Sequence, residues 1–167
     1  MDPDMITIRL YKKSDAVDVG RLIADTYSEY NLSFLPAENQ GPYLGPFRYA
    51  NSPEVIHKEA IENVIQASMV FVAEVEGEIV GVLRGSPGRL HSLFVSGPYH
   101  RRGVGRSLVG RFEGECRKLG VEKITLRSSL YAVPFYRRLG YKRSTGVRRG
   151  RSFEGEGFLA QPMKKVL

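Results

Sequence analysis

Residues 91–120 read HSLFVSGPYHRRGVGRSLVGRFEGECRKLG, and they change character twice. A short apolar run stops at Ser96-Gly97-Pro98. A basic, glycine-containing turn follows, and from Gly103 the pattern is helical until Gly120. This is strand, turn, helix. His100, Arg101, Arg102 and Arg106 crowd around Gly103 and Gly105 at the junction. A helix that starts there leaves its first N–H groups without partners and carries a partial positive charge. Glycines let such a backbone approach a phosphate closely, and arginines add charge-assisted contacts. Two readings stand at this point: a tight solvated turn, or a seat for an anion.

Downstream, VEKITLR reads as a strand, Tyr131 to Leu139 as a short helix closed by Gly140, and YKRSTGVRR and GEGFLAQPMKKV as two closing strands. Upstream, GRLHSLFVS is a strand, and MVFVAEVEGEIVGVLRG gives two more joined at Glu76-Gly77, a hairpin signal. ITIRLY alternates as a strand does. Ser14 or Asp15 caps a helix with apolar Val17, Val19, Leu22, Ile23 and Tyr27. Residues 31–53 hold four prolines and two glycines and read as a loop, although Phe34, Tyr43, Phe47 and Tyr49 give it something to bury. Ser52-Pro53-Glu54 opens the next helix with proline at its first position, and Val55, Ile56, Ala60, Val64 and Ile65 form its apolar side. The order predicts an α/β (α+β) fold in one domain over residues 1–167. Its mixed central sheet has about six to seven strands flanked by about four helices.

At 167 residues the chain can bury a sizeable core. No apolar run approaches the roughly 18 residues of a membrane span, and MDPDMITIRL lacks the basic start and apolar centre of a signal peptide. One cysteine, Cys116, forms no internal disulfide and suits a reducing cytoplasm. Three histidines and that cysteine offer no metal-ligand spacing, so no metal is expected. The net charge of +7 is unevenly spread. Residues 1–100 carry 8 Lys/Arg against 13 Asp/Glu, whereas residues 101–151 carry 15 against 3. A basic half of this kind points to a polyanionic partner, either nucleic acid or a phosphorylated cofactor.

The stretch LFVSGPYHRRGVGRSLV resembles the acetyl-CoA-binding motif of the GNAT acyltransferases, in which Gln/Arg-x-x-Gly-x-Gly/Ala joins a strand to a helix. SSLYAVPFYRRLGY resembles the second family signature, Asn-x-x-Ala-x-x-Phe-Tyr-x-x-x-Gly-Phe. The resemblance runs from about residue 5 to the C-terminus. His100 stands where Gln or Arg is usual, and Ser129 where Asn is usual. What the resemblance implies is an acetyl-CoA-binding core over residues 69–141, with an acceptor-site region over residues 14–67. The backbone of Leu93, Phe94 and Val95 would pair with the pantetheine arm as an added strand does. The N–H groups of Arg102, Gly103, Val104, Gly105, Arg106 and Ser107 would hold the pyrophosphate, with His100, Arg101 and Ser129 in support. Such a coenzyme accounts for the basic segment without nucleic acid.

Acetyl transfer to an amine needs two proton-handling groups. An amine with a pKa near 10.4 is neutral in only roughly one molecule in 2,500 at pH 7, so a base must take its proton. The departing thiolate needs an acid. Tyr136 matches the family's general-acid position. For the base, LHSLFV is similar to the Leu-His-x-Leu-x-Val of the arylalkylamine N-acetyltransferases, which implicates His91. His91 stands two residues before Leu93 and so on the same strand face; its pKa near 6.5 suits the task. A packed aromatic and a partly buried strand histidine are the bland alternatives. His57 reads as a surface or packing residue, and Cys116 as packing.

The expected function is direct acetyl transfer from acetyl-CoA to an amine, foremost a small molecule. The alternatives are a protein or peptide amine, a GNAT fold that senses acyl-CoA without turnover, and a basic nucleic-acid-binding module using the arginine pairs with Tyr131, Tyr136 and Tyr141. Nucleic acid is the disfavoured partner, because the arginines are spread over several elements. A membrane partner is not expected. A homodimer is left open.

Overall fold

The computed structural model of the protein describes residues 5–167. Met1–Asp4, where the leader reading of the sequence begins, lie outside the described residues. Eight strands form one sheet: β1 (Thr7–Leu10), β2 (Met69–Val75), β3 (Glu78–Ser86), β4 (Arg89–Val95), β5 (Lys123–Ser129), β6 (Lys142–Arg143), β7 (Arg148–Ser152) and β8 (Gly155–Val166). Their order is β1-β2-β3-β4-β5-β8-β6, with β7 also on β8. Five α-helices accompany them: α1 (Ala16–Thr26), α2 (Gly41–Leu44), α3 (Val55–Ile65), α4 (Val104–Lys118) and α5 (Val133–Arg138). The sheet is mixed, as expected, and has one strand more than expected. YKRSTGVRR divides into β6 and β7, because the long β8 pairs first with β7 and then with β5 and β6.

The central sheet is buried on both faces. Met69, Phe71, Ala73 and Val75 of β2 face one core with α4 and α5, while Val70 and Val72 face a second core with α1 and α3. That double burial explains the unbroken apolar run of MVFVA. On the first side Val104, Leu108, Val109, Phe112 and Cys116 of α4 recur at helical spacing and are fully enclosed. Each large apolar side chain so buried contributes about 1.5–3 kcal/mol. Val104 and Leu108 seat on Gly81 of β3, where a Cβ would lie 3.0 and 2.9 Å from them. The Cys116 thiol is held up in pKa, chiefly by burial, and is inert packing.

The second side departs from expectation in three places. Pro53 precedes the N-cap Glu54 of α3 instead of opening the helix. Val55 and Ile56 are exposed, and Ile61 and Ile65 are the buried residues, because α3 leans on α1 through Ile61 against Gly20. Residues 31–53 are not bare loop: α2 and several tight turns fold there. The Gln40 amide pins them by donating to the carbonyls of Ser28, Leu32 and Leu35 at 2.9–3.3 Å.

One feature of the sheet positions the site. β4 and β5 are parallel neighbours, yet they pair only at Arg89↔Thr125 and Leu90↔Leu126. Beyond Leu90 the two strands part, and the remaining edge of β4 faces an opening.

Candidate active site

The free edge of β4 has a definite chemistry. Ser96 N–H donates to the Val80 carbonyl at 2.9 Å, and the register pairs Phe94 with Val82 and Ser92 with Arg84. Antiparallel pairing alternates, so the main chains of Phe94 and Ser92 turn to β3 while those of Leu93 and Val95 turn to the opening. Of the three residues expected to offer backbone, Phe94 instead presents its ring to the α1 side. His100 Nε2 donates to the Val95 carbonyl at 2.6 Å, which draws the following loop back against the strand end.

That loop passes through a tight turn (Gly97–Tyr99) and then through left-handed backbone at Arg101 (φ 61°) and Gly103 (φ 85°), with His100 at −64°. Alternation of this kind curls successive N–H groups into a concave, anion-sized nest at the start of α4. The two glycines of the Gly-x-Gly do different work. Gly103 supplies the positive φ at the N-cap, and a Cβ there would meet nothing within 4 Å. Gly105 is buried, and a Cβ on it would lie 3.0 Å from the Phe135 ring of α5. Gly105 therefore lets α5 close on α4, and only Gly103 faces open space. Arg101 and Arg106 make no ion pair among the described residues, whereas Arg102 stacks over the Tyr99 ring at 4.9 Å. Val104 is fully enclosed, and Ser107 N–H closes the first helical turn on the Gly103 carbonyl at 3.0 Å. Ser129 ends β5 opposite Ala160, on the far bank of the opening.

Tyr136 is 5% exposed and sits among Phe135 and Tyr141, 5.1 and 5.7 Å away ring to ring. Burial holds its pKa well above the ordinary tyrosine value, so the hydroxyl keeps its proton. No buried side-chain N or O atom among the described residues lacks a partner, and the Tyr136 hydroxyl bonds to no protein group; it must therefore reach solvent. Behind it Tyr141 donates to buried Glu113 at 2.9 Å, and Lys165 donates to the same carboxylate at 3.0 Å. This fixes α4, α5 and β8 together.

His91 is not where strict alternation would put it. Arg84 pairs with Ser92 and Gly85 with Leu90, so His91 is the extra residue of a β-bulge. The bulge turns it from the Leu93 side to the side of Ser86, whose Oγ lies 3.2 Å from His91 Nε2. Arg84 stands there too and donates to the Ile65 carbonyl at the end of α3. The expectation that His91 and Leu93 share a face is thus corrected. Partial burial first, then Arg84 and Arg89, depress the His91 pKa, so the imidazole is neutral at pH 7. Tyr136 and His91 lie on opposite faces, and the parting of β4 and β5 is the gap between those faces.

Two tyrosines of the 14–67 region cross that gap. α1 runs on into a π-helical turn, Tyr27–Asn31, and such turns concentrate at functional sites. Tyr27 spans from Phe94 of β4 (5.7 Å) to Phe158 of β8 (6.0 Å), and its hydroxyl bonds Ser152. Tyr30 stands against His100 at 4.5 Å and Tyr131 at 5.7 Å. Beside them opens a cleft of about 590 Å³ whose charged walls are Asp18, Asp25 and Glu29 of the α1 segment and Glu76 and Glu78 of the β2–β3 turn, five acids against the single cation Arg21. His57 packs, as expected: it stacks on Tyr49 at 4.0 Å and bonds Ser52 at 2.6 Å.

A family model described as an acetyltransferase (GNAT) domain matches residues 24–167. The chain belongs to the GNAT acetyltransferases. It is an acyltransferase of the acetyl-CoA-dependent kind that this family comprises. No curated protein is a significant match. Among solved structures, a GCN5-related N-acetyltransferase from Rhodopseudomonas palustris is similar at 20% identity and a TM-score of 0.78, covering 100% of this chain and 99% of that one. PaiA N-acetyltransferase from Thermoplasma acidophilum, solved with coenzyme A, is similar at 15% identity and 0.71, covering 97% and 99%. A ribosomal-protein-alanine N-acetyltransferase from Brucella melitensis follows at 20% identity and 0.62, covering 96% and 99%. These likenesses show the GNAT fold. Among the described residues of this GNAT enzyme, no helix is long and apolar enough to cross a membrane.

Proposed function

We propose that this enzyme transfers an acetyl group from acetyl-CoA to the amino group of a small cationic amine. The open main-chain edge at Leu93 and the Val95 N–H, leading into the curled N–H groups before α4, carries the donor half of that reading. An extended amide-bearing arm fits the first, and a pyrophosphate fits the second. The residues fit the coenzyme: Arg101, Gly103 and Arg106 face open space, and Ser129 lines the opposite bank. The coenzyme supplies the activated acetyl group as a thioester.

The chain's own residues manage the protons. The amine nitrogen attacks the acetyl carbon, the carbon–sulfur bond breaks, and the Tyr136 hydroxyl protonates the leaving sulfur. A neutral His91, directly or through water, takes the proton that the amine must lose. Their placement on opposite faces of the sheet suits donor and acceptor approaching from opposite sides. The acidic cleft beside α1 supports a cationic acceptor over a neutral one.

Two measurements test this. Calorimetry with acetyl-CoA should show micromolar binding that Gly103→Asp abolishes, because a carboxylate would then stand in the nest. Release of free thiol, followed across a panel of diamines, arylalkylamines and peptides with free N-termini, should favour the diamines. Asp25→Asn with Glu29→Gln should raise their KM at least about tenfold, near 1.4 kcal/mol. A peptide preferred over every small amine would overturn the acceptor assignment.

A further inference from the structure

We infer that Tyr30 is a lid over the acetyl-donor crevice, a positioning residue that keeps water from the thioester. The inference rests on the donor site proposed above. Its ground is where the ring lies. β4 and β5 stop pairing after Leu90 and Leu126, so the loops that follow them, Gly97–Gly103 and Leu130–Ala132, form the two lips of the opening. Tyr30 bridges the lips. Its ring stands 4.5 Å from His100 on one and 5.7 Å from Tyr131 on the other, the latter nearly parallel at 30°.

Gly97 shows that this seat is built. Its φ is not positive, so the backbone there does not require glycine. What requires it is space: a Cβ on Gly97 would overlap the Tyr30 hydroxyl oxygen. His100 is fixed in turn by its bond to the Val95 carbonyl, which gives Tyr30 a firm surface to rest on. By contrast the Tyr30 hydroxyl has its side-chain partner in neighbouring Glu29, on its own helical turn, and not in either lip. Ring contacts hold it to the lips, and these are individually weak enough to let a ligand part them. The π-helical turn places Tyr27 and Tyr30 three residues apart over the same opening, and Tyr27, unlike Tyr30, is tied down through Ser152. One tyrosine is a fixed floor and the other a movable cover.

A cover matters because water competes with the amine. Water attack on the acetyl carbon breaks the same carbon–sulfur bond and yields acetic acid and free thiol. Closing a site against water suppresses that loss.

The chain contains no tryptophan, so Tyr30→Trp installs a single reporter. Added coenzyme A should shift its emission and shield it from acrylamide. Tyr30→Ala should raise amine-independent hydrolysis of acetyl-CoA about tenfold, with a smaller rise in the KM for acetyl-CoA. Tyr30→Phe, which keeps the ring, should behave as wild type. Gly97→Ala, which displaces the ring without removing it, should reproduce part of the Tyr30→Ala effect. If wild type binds coenzyme A but Tyr30→Ala leaves hydrolysis unchanged, the lid is wrong and the donor site stands. If wild type binds no coenzyme A, the donor site fails and the lid with it.

Discussion

The two faces of the sheet are built on different principles. On the α4–α5 side, the elements of the proposed donor site follow one another in sequence and the ends of α4 are set locally, Gly103 starting it and Gly120 ending it, while Phe135 of the next helix docks on Gly105. On the α1–α3 side, the proposed acceptor wall is assembled from distant segments. Tyr27 bonds Ser152, Tyr43 donates to the Glu156 carbonyl at 2.5 Å, and Phe153 packs on Gly45 and Phe47. The contrast suits a transferase whose donor is fixed and whose acceptor must be selected. A local motif preserves the site for the invariant partner. A wall of long-range side-chain contacts can be rebuilt for a new amine without disturbing the core.

Stability should divide along the same line, and there the largest effects lie. Phe112→Ala on the donor side removes a fully enclosed ring and should cost about 3–5 kcal/mol, read as a drop in denaturation midpoint. Phe153→Ala on the acceptor side removes a ring that is 42% exposed and should cost roughly 1 kcal/mol while changing amine KM. Equal costs would erase the contrast. Next comes chemistry: Tyr136→Phe should lower kcat about a hundredfold, near 2.7 kcal/mol, and leave acetyl-CoA affinity unchanged. A variant with full kcat would leave the fold as a binder of the coenzyme whose acid lies elsewhere.

The same division governs what could be read from the sequence. The Glu76-Gly77 hairpin, the strand-turn-helix at Gly103 and the stops at Gly120 and Gly140 follow from local backbone demands, and the structure has them all. The apolar side of α3 does not follow from the sequence, since Val55 and Ile56 fit a helical stripe equally well. Only the tertiary contact of Ile61 with Gly20 decides the rotation. The β-bulge that swings His91 to the other face is likewise a product of pairing with β3, and LHSLFV alternates without a trace of it. The packing role of Gly105 is hidden for the same reason: the ring that needs its space lies thirty residues on, in α5.

An acid limb should expose the acceptor-side frame. Arg9 of β1 forks between Asp15, at 2.8 and 2.9 Å, and Glu74 of β2, which ties the start of α1 to the sheet edge. The bonds from Arg9 hold the Asp15 pKa below its ordinary value, outweighing burial. A folded pKa lower than the unfolded one, near 3.9, means the stabilisation is present above about pH 4 and is lost as pH falls through the folded value. Asp15→Asn should therefore cost about 2 kcal/mol at pH 7 and progressively less in acid, measured as denaturation midpoints across pH. A cost that does not vary with pH would assign the residue to shape alone.

The smallest expected effect is the most discriminating, because it asks whether the bulge is functional. His91 loses basicity through partial burial and through Arg84 and Arg89, so it protonates only below its ordinary value of about 6.5. If it takes the amine's proton, kcat/KM should fall on an acid limb lying below that value, well separated from the ionisation of the amine itself near pH 10. His91→Gln keeps a partner for Ser86 but cannot accept a proton at these pH values; the plateau should drop about tenfold and the limb should vanish. Arg84→Met removes one of the charges that depress the imidazole, so the limb should move to higher pH while the plateau holds. A limb that survives in His91→Gln would assign the proton to water or a carboxylate of the acidic cleft. In that event the bulge at His91 serves only to part β4 from β5, and the acceptor face would lack the single base that the donor face has in its acid.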